Sequence, residues 1–334
     1  MNCDLCNQVS HKKVCPHCHN PLPVNIHRAE SHIISIVGAR ASGKTHFITV
    51  LIKELTQNGF YLDLVLRPED IGEEADQTTT KRYYRDYKNP LFDKGKTLKK
   101  TNPGDMDHFP LIYKLSSTQK DFFQNQVIYL AFYDTAGENF TDQNAISKMA
   151  NYVTNTSGII FLMDTFQIPT VRQELRNKGV VIQTESTGFM HILQQVDQLF
   201  EKLGKIKFKG NSQLPVALTF SKIDEVIKNG LLGDARAPML IREDSDFYRT
   251  RVYSEDHINR NSDEMKSLLN YWGESGFINY AESLFRNVKY FGVSALGHTP
   301  NGEEISADGI KPHRVMDPLV WILDQLNFAL PKNK

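Results

Sequence analysis

Three groups of residues in this chain have types and spacings that can do chemistry. The first is Gly38-Ala39-Arg40-Ala41-Ser42-Gly43-Lys44-Thr45, followed by His46. Its two glycines let a loop curl so that the backbone N–H groups of Ala41, Ser42, Gly43, Lys44, Thr45 and His46 point inward. A polyphosphate held there would also sit on the positive end of the following helix. Lys44 supplies a mobile cation for the β- and γ-phosphates, and the Thr45 hydroxyl is placed to hold Mg2+. The second group is Asp134-Thr135-Ala136-Gly137-Glu138. An aspartate at the carboxyl end of a strand beside the loop can reach Mg2+ through water. Gly137, with no Cβ, can bring its N–H to a γ-phosphate.

The third group holds all four cysteines, Cys3, Cys6, Cys15 and Cys18, as two CxxC pairs separated by eight residues. Paired CxxC turns present four thiolates tetrahedrally to Zn2+, so residues 1–23 read as a zinc ribbon closed by Pro21-Leu22-Pro23. Disulfides are the alternative, and the lack of a secretion signal weighs against them. His11, His17 and His19 are expected in solvent, because four sulfurs complete the shell. So small a ribbon has little core, and metal binding would supply its folding free energy. A docking or structural role fits it better than sequence reading, although any contact with nucleic acid would come through it.

These groups need elements to position them. Ile33–Val37 reads as a strand. A helix from Lys44 to Asn58 follows, with Phe47, Ile48, Leu51, Ile52 and Leu55 on one face and Gly59 as its cap. Alternating apolar residues from Phe60 to Leu66 predict a half-buried strand, and residues 73–88 a helix before a Gly95–Gly104 loop. Further strands are expected at Leu111–Leu115, Gln126–Tyr133, Gly158–Asp164, Leu214–Phe220 and Val288–Val293. The result is an α/β fold with a mostly parallel sheet spanning residues 32–330, after a linker at 24–31. Segments 165–213 and 225–287 are expected to be helical and to pack as a cap beside the site. They carry a helix at Met190–Leu203, a charged loop at Arg242–Arg251 and a helical stretch at Asp263–Phe285. A closing helix starts near Val315.

The 334 residues carry 39 charges of each sign and 40% hydrophobic side chains, so the chain is expected to be globular, with no bulk attraction to nucleic acid or an anionic membrane. No apolar run is long enough to span a bilayer, and the start is too polar for a signal peptide. The expected compartment is the cytoplasm.

Asp134-Thr135-Ala136-Gly137-Glu138 resembles the second switch of Ras-like GTPases of the TRAFAC class, which carry DxxG here. Ser221-Lys222-Ile223-Asp224 is similar to that family's [NT]KxD, and Ser294-Ala295-Leu296 to its SA[KL], each following a strand. With the phosphate loop, the four motifs cover residues 32–297. On its own the SKID run also fits a helix start capped by serine. The resemblance implies a Ras-like P-loop fold binding GTP or GDP with Mg2+. Asp224 would accept from the guanine N1–H and exocyclic amine, Lys222 would lie along base and ribose, and Ser294, Ala295 and Leu296 would line the base. Ser221 replaces the usual Asn or Thr, which shortens the tie to the phosphate loop. Glu138 stands where these enzymes have a water-orienting Gln and cannot donate to the γ-phosphate, which implies slow hydrolysis. Arg40 resembles the arginine of Rag-type GTPases and is a candidate internal arginine finger. Thr101 is the candidate first-switch threonine, facing the γ-phosphate and Mg2+, with Thr97 in reserve.

The ribbon, the enlarged first switch and the chain's ending resemble bacterial GTPases of the double-GTPase type, predicted members of multi-gene conflict systems. That likeness implies a partner protein, such as a second GTPase. The leading expectation is a GTPase switch that gates its partner. The alternatives are a GTP-binding scaffold with little turnover that docks through its ribbon, and a P-loop ATPase, against which Asp224 and Ser294-Ala295 speak.

Overall fold

The computed structural model describes residues 30–38, 42–70, 78–99, 110–118, 127–132, 156–182, 188–202, 213–233 and 239–332. Among the described residues seven strands form one sheet: β1 Glu30–Gly38, β2 Leu64–Pro68, β3 Leu111–Ser117, β4 Val127–Phe132, β5 Gly158–Asp164, β6 Val216–Ser221 and β7 Val288–Gly292. Their order is β2-β3-β4-β1-β5-β6-β7. From β4 to β7 every neighbouring pair is parallel, and β2 and β3 add an antiparallel edge. The carboxyl ends of the parallel strands therefore share one rim, where ligands of open α/β sheets bind.

Burial follows the layering. β5 reads GIIFLMD and is buried at every position, as a central strand covered on both faces must be. On one face Ile34, Ile36, Leu130, Ile160 and Leu162 pack under α1 (Lys44–Asn58) and the closing helix Asp317–Gln325. On the other face Val37, Ile159, Phe161, Met163, Leu218 and Phe220 meet side chains of the inserted helices Pro169–Asn177, Phe189–Lys202, Glu255–Tyr271 and Ser275–Leu284. In chain order the helices after α1 are α2 Thr79–Arg82, α3 Pro169–Asn177, α4 Phe189–Lys202, α5 Ile223–Lys228, α6 Met239–Arg242, α7 Phe247–Thr250, α8 Glu255–Tyr271, α9 Ser275–Leu284 and α10 Asp317–Gln325. The inserted helices α3, α4, α8 and α9 thus form one layer of the core.

Several local expectations are corrected. Gly59 caps α1 as expected, but in the right-handed region at φ −56°; the chain continues as a 3-10 turn over Gly59–Leu62, and the strand expected from Phe60 begins only at Leu64. Beyond α2 the helix widens into a π-helix, Tyr83–Asp93, with Pro90 inside it. The ring nitrogen of Pro90 has no proton to give an α-helical ladder. The Tyr83 hydroxyl donates to the Thr49 carbonyl at 2.9 Å and moors this segment to α1. The helical stretch expected from Asp263 to Phe285 consists of two helices. α8 starts earlier, where the Ser254 hydroxyl accepts from the His257 N–H. It stops in a Schellman turn, with Gly273 N–H on the Asn270 carbonyl at 3.0 Å and Glu274 N–H on the Leu269 carbonyl at 2.9 Å. Arg242–Arg251, expected as a loop, holds the end of α6 and all of α7.

Candidate functional site

β1 delivers the loop at the centre of the rim, with Gly38 paired to Leu162 of β5. A Cβ on Gly38 would run into the Leu162 carbonyl oxygen and come within 2.9 Å of Ser42 Oγ. Gly43, at φ +86°, makes the left-handed step that turns the chain into α1, whose first hydrogen bond runs from Phe47 N–H to the Gly43 carbonyl at 2.8 Å. The Lys44 side chain is buried and folds back along the loop, its Nζ donating to the Gly38 carbonyl at 2.7 Å. Ser42 Oγ is buried with no hydrogen-bond partner among the described residues. A buried hydroxyl left unmatched beside a loop-spanning ammonium and a helix N-terminus fits a polyphosphate.

The turn after β6 is fastened to this loop. Ser221 Oγ lies 2.9 Å from the Ser42 carbonyl and 3.1 Å from the Met163 carbonyl. One hydroxyl proton serves the two acceptors. Ser221 does not cap the helix that follows. The residue preceding α5 is Lys222, at φ 62°, a left-handed conformation that is uncommon for a side-chain-bearing residue. The Lys222 ammonium contacts Asp164 Oδ2 at 2.6 Å and stands 4.9 Å from the centre of the Phe166 ring. Asp164 uses its other oxygen to accept from Phe166 N–H at 2.9 Å, and the Thr165 hydroxyl donates to the Ser221 carbonyl.

Asp224 is half-buried in the first turn of α5. Burial pushes its carboxyl above the ordinary carboxylate range, and a hydrogen bond from the Ser294 side chain opposes that shift. Ser294 Oγ accepts from Gly297 N–H at 2.9 Å. The Ser294 backbone pairs both ways with His313, at 2.9 and 2.8 Å. Glu225, buried beside Asp224, accepts from Thr299 N–H at 3.2 Å. Ala295 and Leu296 are half-buried, and their side chains pack on the α1-side core. The loop after β7 and the turn after β6 are therefore one connected surface, tied through Ser221 to the phosphate loop.

A third connection comes from His46 in the first turn of α1. Its Nε2 accepts from Leu98 N–H at 3.2 Å. Burial, helped by the positive charge of Lys222, pushes the ring down to about 4, so the imidazole is neutral near neutral pH. Thr97 is half-buried next to that contact, and its N–H donates to the Glu303 carbonyl at 2.8 Å.

The structure thus brings together Gly38, Ser42, Gly43, Lys44, Thr45, His46, Lys222, Asp224 and Ser294. Sequence reasoning missed the role of Asp164, although its position at the end of β5, level with Ser221 in the parallel register, is the signal. It also missed His46 as an acceptor for the segment before Lys99. Cys3, Cys6, Cys15, Cys18, Arg40, Ala41, Thr101, Asp134, Gly137 and Glu138 lie outside the described residues. Among the described residues no group of three or more His, Cys, Asp or Glu could hold a metal ion, and no helix is long and apolar enough to cross a membrane.

Comparison with known proteins adds sequence relatives to this geometry. The family model described as Double-GTPase 2 matches residues 32–273. SaeC of Mycolicibacterium smegmatis, described provisionally as an ESX-1 scaffolding and assembly protein, is 25% identical over 323 residues, covering 93% of this chain and 79% of its own. Among solved structures, the Arl6 BBS3 small GTPase of Trypanosoma brucei, with a bound nucleotide analogue, is 9% identical with a TM-score of 0.36, covering 90% of this chain and 99% of its own. A nucleolar GTP-binding protein 1 of Plasmodium falciparum, so named provisionally, is 11% identical with a TM-score of 0.32, covering 92% and 90%.

Proposed function

The chain belongs to the Double-GTPase 2 family, and from that premise we propose that it binds GTP and Mg2+, hydrolyses GTP slowly and uses the nucleotide to gate a partner protein. The observation that carries the reading is the chain of contacts from Ser42 through Ser221 to the turn bearing Asp224, and from Asp224 to Ser294. A guanine nucleotide spans those points. Its polyphosphate lies on the loop N–H groups and Lys44, and its base meets Asp224, whose carboxylate accepts two N–H groups that adenine does not offer. Lys222, held by Asp164, lies alongside the base and ribose.

Thr45, Asp134 and Thr101 would hold Mg2+, which neutralises charge on the β- and γ-phosphates. Water attacks the γ-phosphorus, the bond to the bridging oxygen breaks, and GDP and phosphate leave. Glu138 accepts from that water without donating to the γ-phosphate, which keeps turnover slow. Arg40 is the candidate for stabilising the charge on the transferring group. The four amino-terminal cysteines would bind Zn2+ in a ribbon that docks a partner, such as a second GTPase, in a cytoplasmic bacterial conflict system.

A second reading, a GTP-binding scaffold with little turnover, is favoured by the scaffolding and assembly description of the mycobacterial relative. Two measurements on the full chain test both. The nucleotide released on denaturing the purified protein is expected to be guanine, and adenine nucleotide would overturn the proposal. Steady-state phosphate release above the no-protein rate supports the enzyme, whereas tight GTP binding without release supports the scaffold.

A further inference from the structure

The segment that leads into the candidate first switch is paired to the loop that follows β7. Lys96 and Glu304 face each other in an antiparallel bridge. Thr97 N–H donates to the Glu303 carbonyl and Ile305 N–H to the Gly95 carbonyl, both at 2.8 Å. Bonds flank the bridge on both sides, so Lys96 and Glu304 form the non-hydrogen-bonded type of antiparallel pair, whose Cα atoms stand about 4.5 Å apart. A second bridge, Asn301 to Glu304, folds the loop into a tight turn that presents its strand.

Each half of this pairing is fastened to a different end of the site. On one side Leu98 N–H is held by His46, two residues beyond Lys44, and the π-helix that delivers Gly95 is moored to α1 through Tyr83. On the other side the same loop gives Ser294 to Asp224 and the Thr299 N–H to Glu225. The phosphate end and the base end are therefore joined by a backbone connection independent of the sheet.

We infer that residues 95–98 and 303–305 form a clasp that joins the phosphate and base ends of the bound nucleotide and sets its release rate. The inference rests on the guanine-nucleotide reading above. Release requires the pairing to part, because the two anchors it joins hold opposite ends of the same ligand. A structural turn alone would leave release unchanged.

The facing geometry of Lys96 and Glu304 suits an engineered disulfide. The test uses the full chain carrying Lys96→Cys and Glu304→Cys, loaded with a fluorescent mant-GDP and chased with excess GDP. Oxidation is expected to slow release at least about tenfold, with reductant restoring the original rate. The parent chain, oxidised in the same way, controls for its own cysteines and should not change. Thr97→Pro, which deletes the donor to Glu303, is expected to speed release about fivefold with an unchanged far-ultraviolet circular dichroism spectrum. Failure of the two thiols to join in the loaded protein, or release from the cross-linked protein at the reduced rate, overturns the clasp alone. If parent and reduced variant both fail to bind mant-GDP, the guanine-nucleotide reading falls and takes the clasp with it.

Discussion

The Ser221 hydroxyl lies 2.9 Å from the Ser42 carbonyl, so the turn that carries Asp224 is fastened directly to the phosphate loop. A serine in place of the longer asparagine does not lose the tie here. The strands bring the two backbones close enough for a single hydroxyl to span them.

That contact can be removed without adding bulk. Ser221→Ala takes away one neutral hydrogen bond, worth about 1 kcal/mol, which corresponds to roughly a five- to tenfold loss of nucleotide affinity. Titration with a fluorescent guanine nucleotide reads the loss. An unchanged affinity would mean that the tie does not position the base pocket.

Asp164 separates charge from cap. One oxygen meets the Lys222 ammonium at 2.6 Å and the other accepts from Phe166 N–H at 2.9 Å. Asp164→Asn keeps an oxygen for the Phe166 N–H but loses the charge that holds Lys222. It should preserve thermal stability within a few degrees and weaken guanine-nucleotide binding about tenfold. Asp164→Ala loses both contacts, and its melting temperature should fall below that of Asp164→Asn, since a cap of this kind is worth about 1 kcal/mol. Equal melting temperatures for the two variants would contradict the assignment.

His46 predicts a pH dependence of stability. Its pKa is lowered from 6.5 to about 4 in the folded chain, while in the unfolded chain it titrates near the ordinary value. Its contribution is therefore complete above pH 6.5 and is lost as the pH falls toward about 4, where a protonated ring can no longer accept from Leu98. His46→Gln keeps an acceptor and removes the titration. Urea-denaturation midpoints of parent and variant should run parallel above neutrality and diverge on acidification, the parent losing stability faster. Parallel curves throughout would contradict the prediction.

Much of this was legible in the residues, and the exceptions have physical causes. The strand ends at Gly38, Ser221 and Gly292 were readable because apolar runs stop there in polar turns. The break at Gly273 was written in the sequence as a glycine between two amphipathic stretches, but periodicity continued on both sides and hid it. The π-helix Tyr83–Asp93, with Pro90 inside it, was not legible, because runs of such turns are rare and helical periodicity does not announce them. The pairing of Lys96 with Glu304 joins residues far apart in the chain whose local composition carries no strand signal. Asp164 looked like the end of a strand until β6 placed Lys222 beside it.

Guanine reading by Asp224 is open to a decisive test, the exchange of its carboxylate for an amide. Asp224→Asn presents one donor and one acceptor where the carboxylate offered two acceptors. Competition titrations should show GTP affinity falling at least about a hundredfold, as one charge-assisted hydrogen bond is replaced by two facing donors and the other becomes neutral, with xanthosine triphosphate overtaking GTP as the preferred ligand. A variant that binds GTP as the parent does, with no gain for the xanthine nucleotide, would rule out base reading by Asp224.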